Sequence, residues 1–211
     1  KIKRFLKQRT EMLAGVSHDL RTPLTRMKLQ ISLMKDKKAK SELEVDVNEM
    51  TSMLDSYVSF VKTESPEPIE TIIINELIGD IVKTVEKNGL ELTIKEKNTI
   101  QTSGRQIQLK RAFNNIIDNS QRYAKKIEII LYTNEKDCVI EFNDDGEGIP
   151  RDKYEDVFKP FFTLDPSRNK LKGESGLGLT ITRDIIRSHG GDVKLSDSSL
   201  GGLQLKVLLP L

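Results

Sequence analysis

Apolar residues return along the first sixty positions at intervals of four and three. Val16, Leu20, Leu24, Met27, Ile31 and Met34 form one stripe, and Leu43, Val47, Met50, Leu54, Tyr57 and Val61 form a second. That rhythm marks one face of an α-helix and predicts two long helices. Ser41-Glu42-Leu43-Glu44 fits a capping box opening the second helix, which leaves Lys35 to Lys40 as the polar turn. Two helices cannot enclose a core, so stripes this regular predict a second copy of the hairpin and a four-helix bundle.

The rhythm breaks at Thr63-Glu64-Ser65-Pro66-Glu67-Pro68, which reads as a linker. Beyond it the pattern is mixed. Thr71 to Ile74 is a short strand, Asn75 caps a helix to about Lys87, and Asn88-Gly89 stops it. Leu90 to Lys95 alternates as a strand and Arg105 to Tyr123 is a helix. Lys126 to Thr133 and Cys138 to Asn143 form an antiparallel pair, a helix spans Gly178 to Ser188, and Leu203 to Leu209 is a final strand. Strands and helices without strict alternation predict an α+β sandwich. The expected organisation is therefore a helical hairpin over 1–64, a linker over 65–70 and a sandwich domain over 71–211.

Composition adds little until charge is resolved by segment. The net charge of +2 conceals twelve Lys/Arg against three Asp/Glu in residues 1–40, and one against eight in residues 41–70. A basic arm alone would suggest nucleic acid or anionic lipid. The acidic segment that follows favours two oppositely charged helices side by side, and no nucleic-acid partner is expected. No run approaches the roughly 18 apolar residues needed to span a bilayer, and there is no signal-peptide pattern. Lys1 to Leu6 reads as a point from which a membrane portion has been left off. The lone Cys138 excludes an internal disulfide, suits a reducing compartment and sits in a strand pattern.

His18 lies two residues from both Val16 and Leu20, roughly 200° around the helix from each, so it faces solvent. A lone exposed histidine is ordinary, but its neighbours are suggestive. Asp19 can fix the imidazole tautomer and accept a proton, and Thr22 shares the exposed face one turn on. Pro23 removes a helical hydrogen bond and should bend the chain beside them.

Farther on, Asn115, Asn119 and Arg122 share one helix face within Asn114 to Tyr123, and amides there are costly to bury without partners. Either they meet a ligand or they are hydrogen-bonded structural groups. Asp144-Asp145-Gly146-Glu147-Gly148 ends a strand with a carboxylate able to accept from an amine and glycines that let the chain pass close to a flat ring, though such a turn is often only a turn. Gly173 to Ile181, including Gly176, Leu177 and Gly178, resembles a glycine-rich loop opening a helix where backbone N–H groups can meet phosphate; a flexible linker would look similar. His189 precedes Gly190-Gly191 at a helix end, which suits capping or packing.

Ser17-His18-Asp19-Leu20-Arg21-Thr22-Pro23-Leu24 closely resembles the phosphoacceptor box of sensor histidine kinases, most sharply their EnvZ-type osmosensors. The rest of the chain supplies stretches similar to the family's N, G1, F and G2 boxes in order. The resemblance implies a Bergerat-type ATP-binding domain and a homodimer, and a phosphoryl group passed from ATP through His18 to an aspartate of a response regulator receiver domain of the OmpR-like class. It also implies phosphatase action on that regulator, through Thr22, and the cytoplasmic portion of a bacterial inner-membrane protein. Asn115 and Asn119 then match ligands of Mg²⁺ on the ATP phosphates, with Arg122 and Tyr123 beside the nucleotide and Asp144, Gly146 and Gly148 at adenine. Gly176, Leu177 and Gly178 match the phosphate loop, and Arg168 lies in the lid from Leu164 to Lys172. Glu174 stands where many relatives carry glycine.

Two other readings stay open. One is a non-enzymatic dimerisation module that binds nucleotide as a structural ligand. The other is an ATPase of the topoisomerase or chaperone group, whose usual catalytic glutamate is missing from the stretch carrying Asn115, Asp118 and Asn119.

Overall fold

Hydrophobic spacing accounts for the helices of the computed structural model, which describes residues 20–61, 67–85, 90–164 and 176–211. The chain divides into two compact units, one holding the hairpin together with Phe161–Leu177, the other Glu67–Pro160 with Gly178–Leu211. In the hairpin, α1 is described over residues 20–32 and α2 runs Lys37–Val61. The second helix opens earlier than the Ser41 capping box predicts, because Asp36 Oδ1 accepts from Lys38 N–H at 2.9 Å and Ala39 N–H at 3.2 Å. A cap with two donors settles the start, and the polar turn shrinks to residues 33–36.

Leu24, Ile31 and Val47 are buried against one another, with Leu54 partly covered. Leu20, Met27, Met34, Leu43 and Met50, from the same two stripes, are exposed in the isolated chain. Pro23 lies within α1 and is exposed. The carbonyl that its missing N–H would have bonded is residue 19, outside the described residues.

The second unit contains β1 Glu70–Ile73, α3 Ile74–Val85, β2 Glu91–Glu96, β3 Gln101–Gly104, α4 Gln106–Tyr123, β4 Lys126–Thr133, β5 Asp137–Asp144, two 3-10 turns at Arg151–Lys153 and Asp156–Phe158, α5 Gly178–Ser188, β6 Asp192–Asp197 and β7 Leu203–Pro210. Five strands form one sheet in the order β2-β4-β5-β7-β6, while β1 and β3 pair separately. β2 and β4 are parallel, and α4 lies in the connection between them; the remaining pairs are antiparallel.

Two strands were not foreseen. β3 shows no apolar alternation, and β6 buries only Val193 among its six residues. Asn75 also differs from expectation. The helix begins at Ile74, and the Asn75 amide instead accepts from Ile100 N–H at 2.8 Å and donates to the Asn98 carbonyl.

One face of the sheet carries the core. Leu109, Ala112, Phe113, Ile116, Ile117 and Ser120 recur on α4 at steps of three, one and three, and all are buried. They meet the sheet's apolar face, which includes Ile127, Ile129, Leu131, Ile140 and Phe142. The Phe113 and Phe142 ring centroids lie 6.0 Å apart, inside the range of favourable aromatic pairs. Complete burial of such side chains contributes roughly 1.5–3 kcal/mol each.

Candidate functional site

The polar chemistry of the sandwich gathers around α4. Its N-terminal N–H groups receive partners from distant segments rather than from a local cap. The Glu67 carboxylate accepts from Ile107 N–H at 2.6 Å and Gln108 N–H at 3.3 Å. His189 Nε2 accepts from Arg105 N–H at 3.0 Å, while His189 Nδ1 lies 2.7 Å from the Ile185 carbonyl. That pattern requires a neutral ring protonated at Nδ1. Burial pushes the His189 pKa down, aided by the neighbouring Arg105 charge and opposed by the Ile185 carbonyl and Glu67. His189 is thus a structural acceptor, with no room beside it for a side chain at Gly104, whose added Cβ would lie 2.9 Å from the imidazole.

Two turns along α4, Asn115 Nδ2 donates to the Gly178 carbonyl at 3.3 Å, tying this helix to the first residue of α5. Gly178 O also accepts from Thr182 Oγ1 at 2.9 Å. With the Asn115 amide nitrogen used this way, its oxygen is the atom that could meet a ligand, and an amide oxygen suits a hard cation. Asn119, half-buried, follows one turn later. Arg122 and Tyr123, both exposed, end the helix. The start of α5 is held in turn. Thr180 Oγ1 donates to the Phe158 carbonyl at 3.0 Å, and the Arg183 guanidinium lies 4.4 Å from the Phe158 ring while pairing with Glu155.

Asp144 ends β5 beneath the last turn of α4. Its Oδ1 accepts from Gly146 N–H at 3.0 Å and from Leu203 N–H at 2.9 Å, and Ser120 Oγ lies 3.4 Å from Oδ2. Asp145 latches the adjoining loop by accepting from Lys125 and Lys126 N–H, each at 2.8 Å, and those two bonds hold its carboxyl below the usual range. Three glycines are required here. A Cβ on Gly146 would lie 3.0 Å from the Tyr123 carbonyl, and one on Gly202 would lie 2.2 Å from Asp144 Oδ1. Gly148 has φ +70°, in the left-handed region that glycine tolerates.

The structure therefore brings Asn115, Asn119, Asp144, Gly146, Gly148 and Gly178 into one region of the sandwich. In the other unit, Gly176 (φ +63°) and Phe161 (φ 63°) are joined by a Phe161 N–H to Gly176 carbonyl bond of 3.0 Å, and Leu177 is buried. Thr22 is exposed on α1. His18, Asp19, Arg168 and Glu174 lie outside the described residues. Sequence reasoning missed Glu67, Ser120 and the Gly202-Leu203 peptide. Ser120 alone left a signal, as a small polar residue on an otherwise apolar buried stripe.

Comparison with known proteins bears on the two parts of the chain. Residues 8–66 match the His Kinase A (phospho-acceptor) domain, and residues 104–211 match the histidine kinase-, DNA gyrase B- and HSP90-like ATPase domain. The whole chain aligns at 31% identity with sensor histidine kinase GtrS of Pseudomonas aeruginosa and at 31% with sensor histidine kinase CpxA of Escherichia coli, spanning 44% and 49% of those proteins. Among solved structures, mycobacterial sensor histidine kinase MprB overlays 68% of this chain and 97% of its own with TM-score 0.60 and 24% identity. Full-length ShkA in complex with AMPPNP overlays 95% of this chain and 46% of its own with TM-score 0.72 and 16% identity. A helical phospho-acceptor region joined to a Bergerat-type α+β sandwich, with both domain models matched in order, places the chain in the sensor histidine kinase family.

Proposed function

We propose that this chain is the catalytic portion of an ATP-dependent protein-histidine kinase of the EnvZ-like osmosensor type, comprising a hairpin over 1–64, a linker over 65–70 and an ATP-binding domain over 71–211. The observation that carries the reading is the joined set on α4: Asn115 tied to the start of α5, and Asp144 held by backbone N–H groups below the same helix. Asp144 receives the adenine amine, Gly146 and Gly148 let the chain lie close to the ring, and the family resemblance assigns Tyr123 to the nucleotide and Arg122, Arg168, Gly176, Leu177 and Gly178 to its phosphates. The amide oxygens of Asn115 and Asn119 would hold Mg²⁺, which would supply charge neutralisation at the phosphates.

His18 attacks the γ-phosphorus in line, the bond to the ADP oxygen breaks, and Asp19 holds the imidazole tautomer and takes its proton. Positioning and electrostatics carry most of the rate. The phosphoryl group then passes to an aspartate of an OmpR-like response regulator, and Thr22 orients a water that hydrolyses the resulting aspartyl phosphate to aspartate and inorganic phosphate. The exposed stripe of Leu20, Met27, Leu43 and Met50 supports a homodimeric four-helix bundle. Among the described residues no helix is long and apolar enough to cross a membrane. We place the chain on the cytoplasmic side of a membrane protein whose spans lie in other segments.

The test is incubation with γ-labelled ATP and Mg²⁺. Acid-labile, base-stable label is expected on the wild type and none on His18→Ala, whose ADP affinity is unchanged. Label retained on His18→Ala refutes the assignment. For the second activity, Thr22→Ala should lose regulator dephosphorylation while keeping autophosphorylation; full dephosphorylation by that variant removes Thr22 from the role.

A further inference from the structure

Helix α4 begins without a cap of its own. Arg105 stands at the N-cap position in extended backbone, and its side chain makes no capping bond. The guanidinium is turned elsewhere, to Gln108 Oε1 at 3.0 Å and to the Ser188 carbonyl and hydroxyl at 3.1 and 3.0 Å. The N–H groups two and three residues beyond the cap position are those a local Asp or Ser would serve. Here both donate to Glu67, Ile107 to Oε1 at 2.6 Å and Gln108 to Oε2 at 3.3 Å. A carboxylate also suits the positive end of the helix dipole.

Glu67 is the residue at which the chain arriving from the hairpin enters the sandwich unit, which starts there. Strand β1 begins only at Glu70, where pairing with Gly104 anchors the chain. Between the two, Pro68 and Ile69 belong to no helix or strand and are exposed, Ile69 at 68%. Burial therefore does not hold this short strap down. Among the described residues, the hydrogen bonds that do so are the two from α4 to the Glu67 carboxylate. With Glu67 docked, five residues (62–66) connect the end of α2 at Val61 to the first anchored position; with it undocked, eight (62–69) do.

We propose that Glu67 is a positioning residue for the phosphoryl transfer: docked on the N-terminus of α4, it fixes where the sandwich is joined to the hairpin that carries His18, and so sets how often the ATP site meets that histidine. The inference rests on the kinase reading above and deepens it. Glu67 acts through the reach of the connection and not through the nucleotide. The concentration of one group at another across a connecting segment falls roughly as the −3/2 power of its length, about twofold for the change from five residues to eight. Loss of a fixed exit point from the sandwich adds to that fall.

The test uses the full chain and three readouts: amide exchange at Ile107 and Gln108, ADP affinity by calorimetry, and the rate of labelling from γ-labelled ATP at saturating nucleotide. Glu67→Ala should open both amides to exchange, leave ADP affinity within about twofold of the wild type and slow labelling about two- to fivefold. Glu67→Gln, which keeps an oxygen for Ile107 N–H, should fall between. Two further chains separate reach from helix stability. Arg105→Asp added to Glu67→Ala supplies the missing acceptor locally, so it should restore protection of the two amides and leave labelling slow. Three glycines inserted between Pro66 and Glu67 lengthen the connection with the cap intact, so they should slow labelling about twofold and leave both amides protected.

Labelling at the wild-type rate by folded Glu67→Ala, or by the chain with the insertion, overturns the proposal while leaving a kinase. So does recovery of the full rate when Arg105→Asp is added to Glu67→Ala, which would make Glu67 a helix cap and nothing more. If the wild type itself takes no label, the functional reading falls and the proposal with it. Should Glu67→Ala not fold, the insertion decides alone.

Discussion

The hairpin and the sandwich draw on the same kind of sequence signal and finish with it differently. In the sandwich, the stripe of α4 from Leu109 to Ser120 is buried without exception. In the hairpin, a stripe of equal regularity buries Leu24, Ile31 and Val47 and leaves Met27, Leu43 and Met50 in solvent. A sheet supplies a broad partner surface from the same chain, whereas two antiparallel helices cover only one side of each other. Periodicity therefore reports which residues seek burial, while the number of layers decides whether the chain can satisfy them alone.

The comparison is open to attack at three points. The largest effect is expected inside the sandwich. Phe113→Ala removes a buried ring stacked near Phe142 and should lower unfolding free energy by about 3–5 kcal/mol in denaturant titrations. Met50→Ala should change the stability of an isolated subunit very little. If the two substitutions cost the same in a monomer, the contrast between a closed and an open stripe fails.

The second point is the open stripe itself. Met50→Glu places a charge on the exposed face of α2, so it should convert a dimer to a monomer in sedimentation while the sandwich melts as before. A dimer that persists with unchanged affinity excludes that face as the contact.

The smallest effect concerns pH. The neutral form of His189 is favoured in the folded protein and its pKa is held below the ordinary 6.5, so the unfolded chain binds the extra proton first. Stability from this group is complete above about pH 6.5 and is lost as pH falls through the folded value. His189→Gln, whose amide oxygen can still accept from Arg105 N–H, should show a shallower fall in melting temperature between pH 7 and 5. An identical slope removes His189 as a contributor.

Much of the architecture was legible because it is local. The two hairpin helices, α4, the β4–β5 pair and α5 follow from spacing within a dozen residues. What escaped depends on partners far away. β6 alternates only through Val193 and Leu195, and a six-residue run with three charged positions is too short and polar to stand out; it pairs with β7 at the edge of the sheet. Asp36 displaced the Ser41 box because two N–H groups were available to it one turn earlier.

At the site, Asn115, Asn119 and Asp144 stood out as polar residues at helical or turn spacing. The groups that hold Asn115 and Asp144 are Gly178, Ser120 and Leu203. Gly178 and Leu203 act through backbone atoms, which carry no residue-type signature, and Leu203 lies 59 positions from the carboxylate it holds.

The borrowed caps of α4 also bear on how the protein is made. Its first turn takes an acceptor from Glu67, 40 residues earlier, and another from His189, 84 residues later. During synthesis the Glu67 carboxylate emerges before the helix, but the imidazole arrives only after most of the sandwich has left the ribosome. At roughly 5–20 residues per second, the helix that carries Asn115 and Asn119 waits on the order of ten seconds for its last N-terminal partner. A nascent chain halted before His189 would hold those asparagines on a helix whose N-terminus is still incomplete.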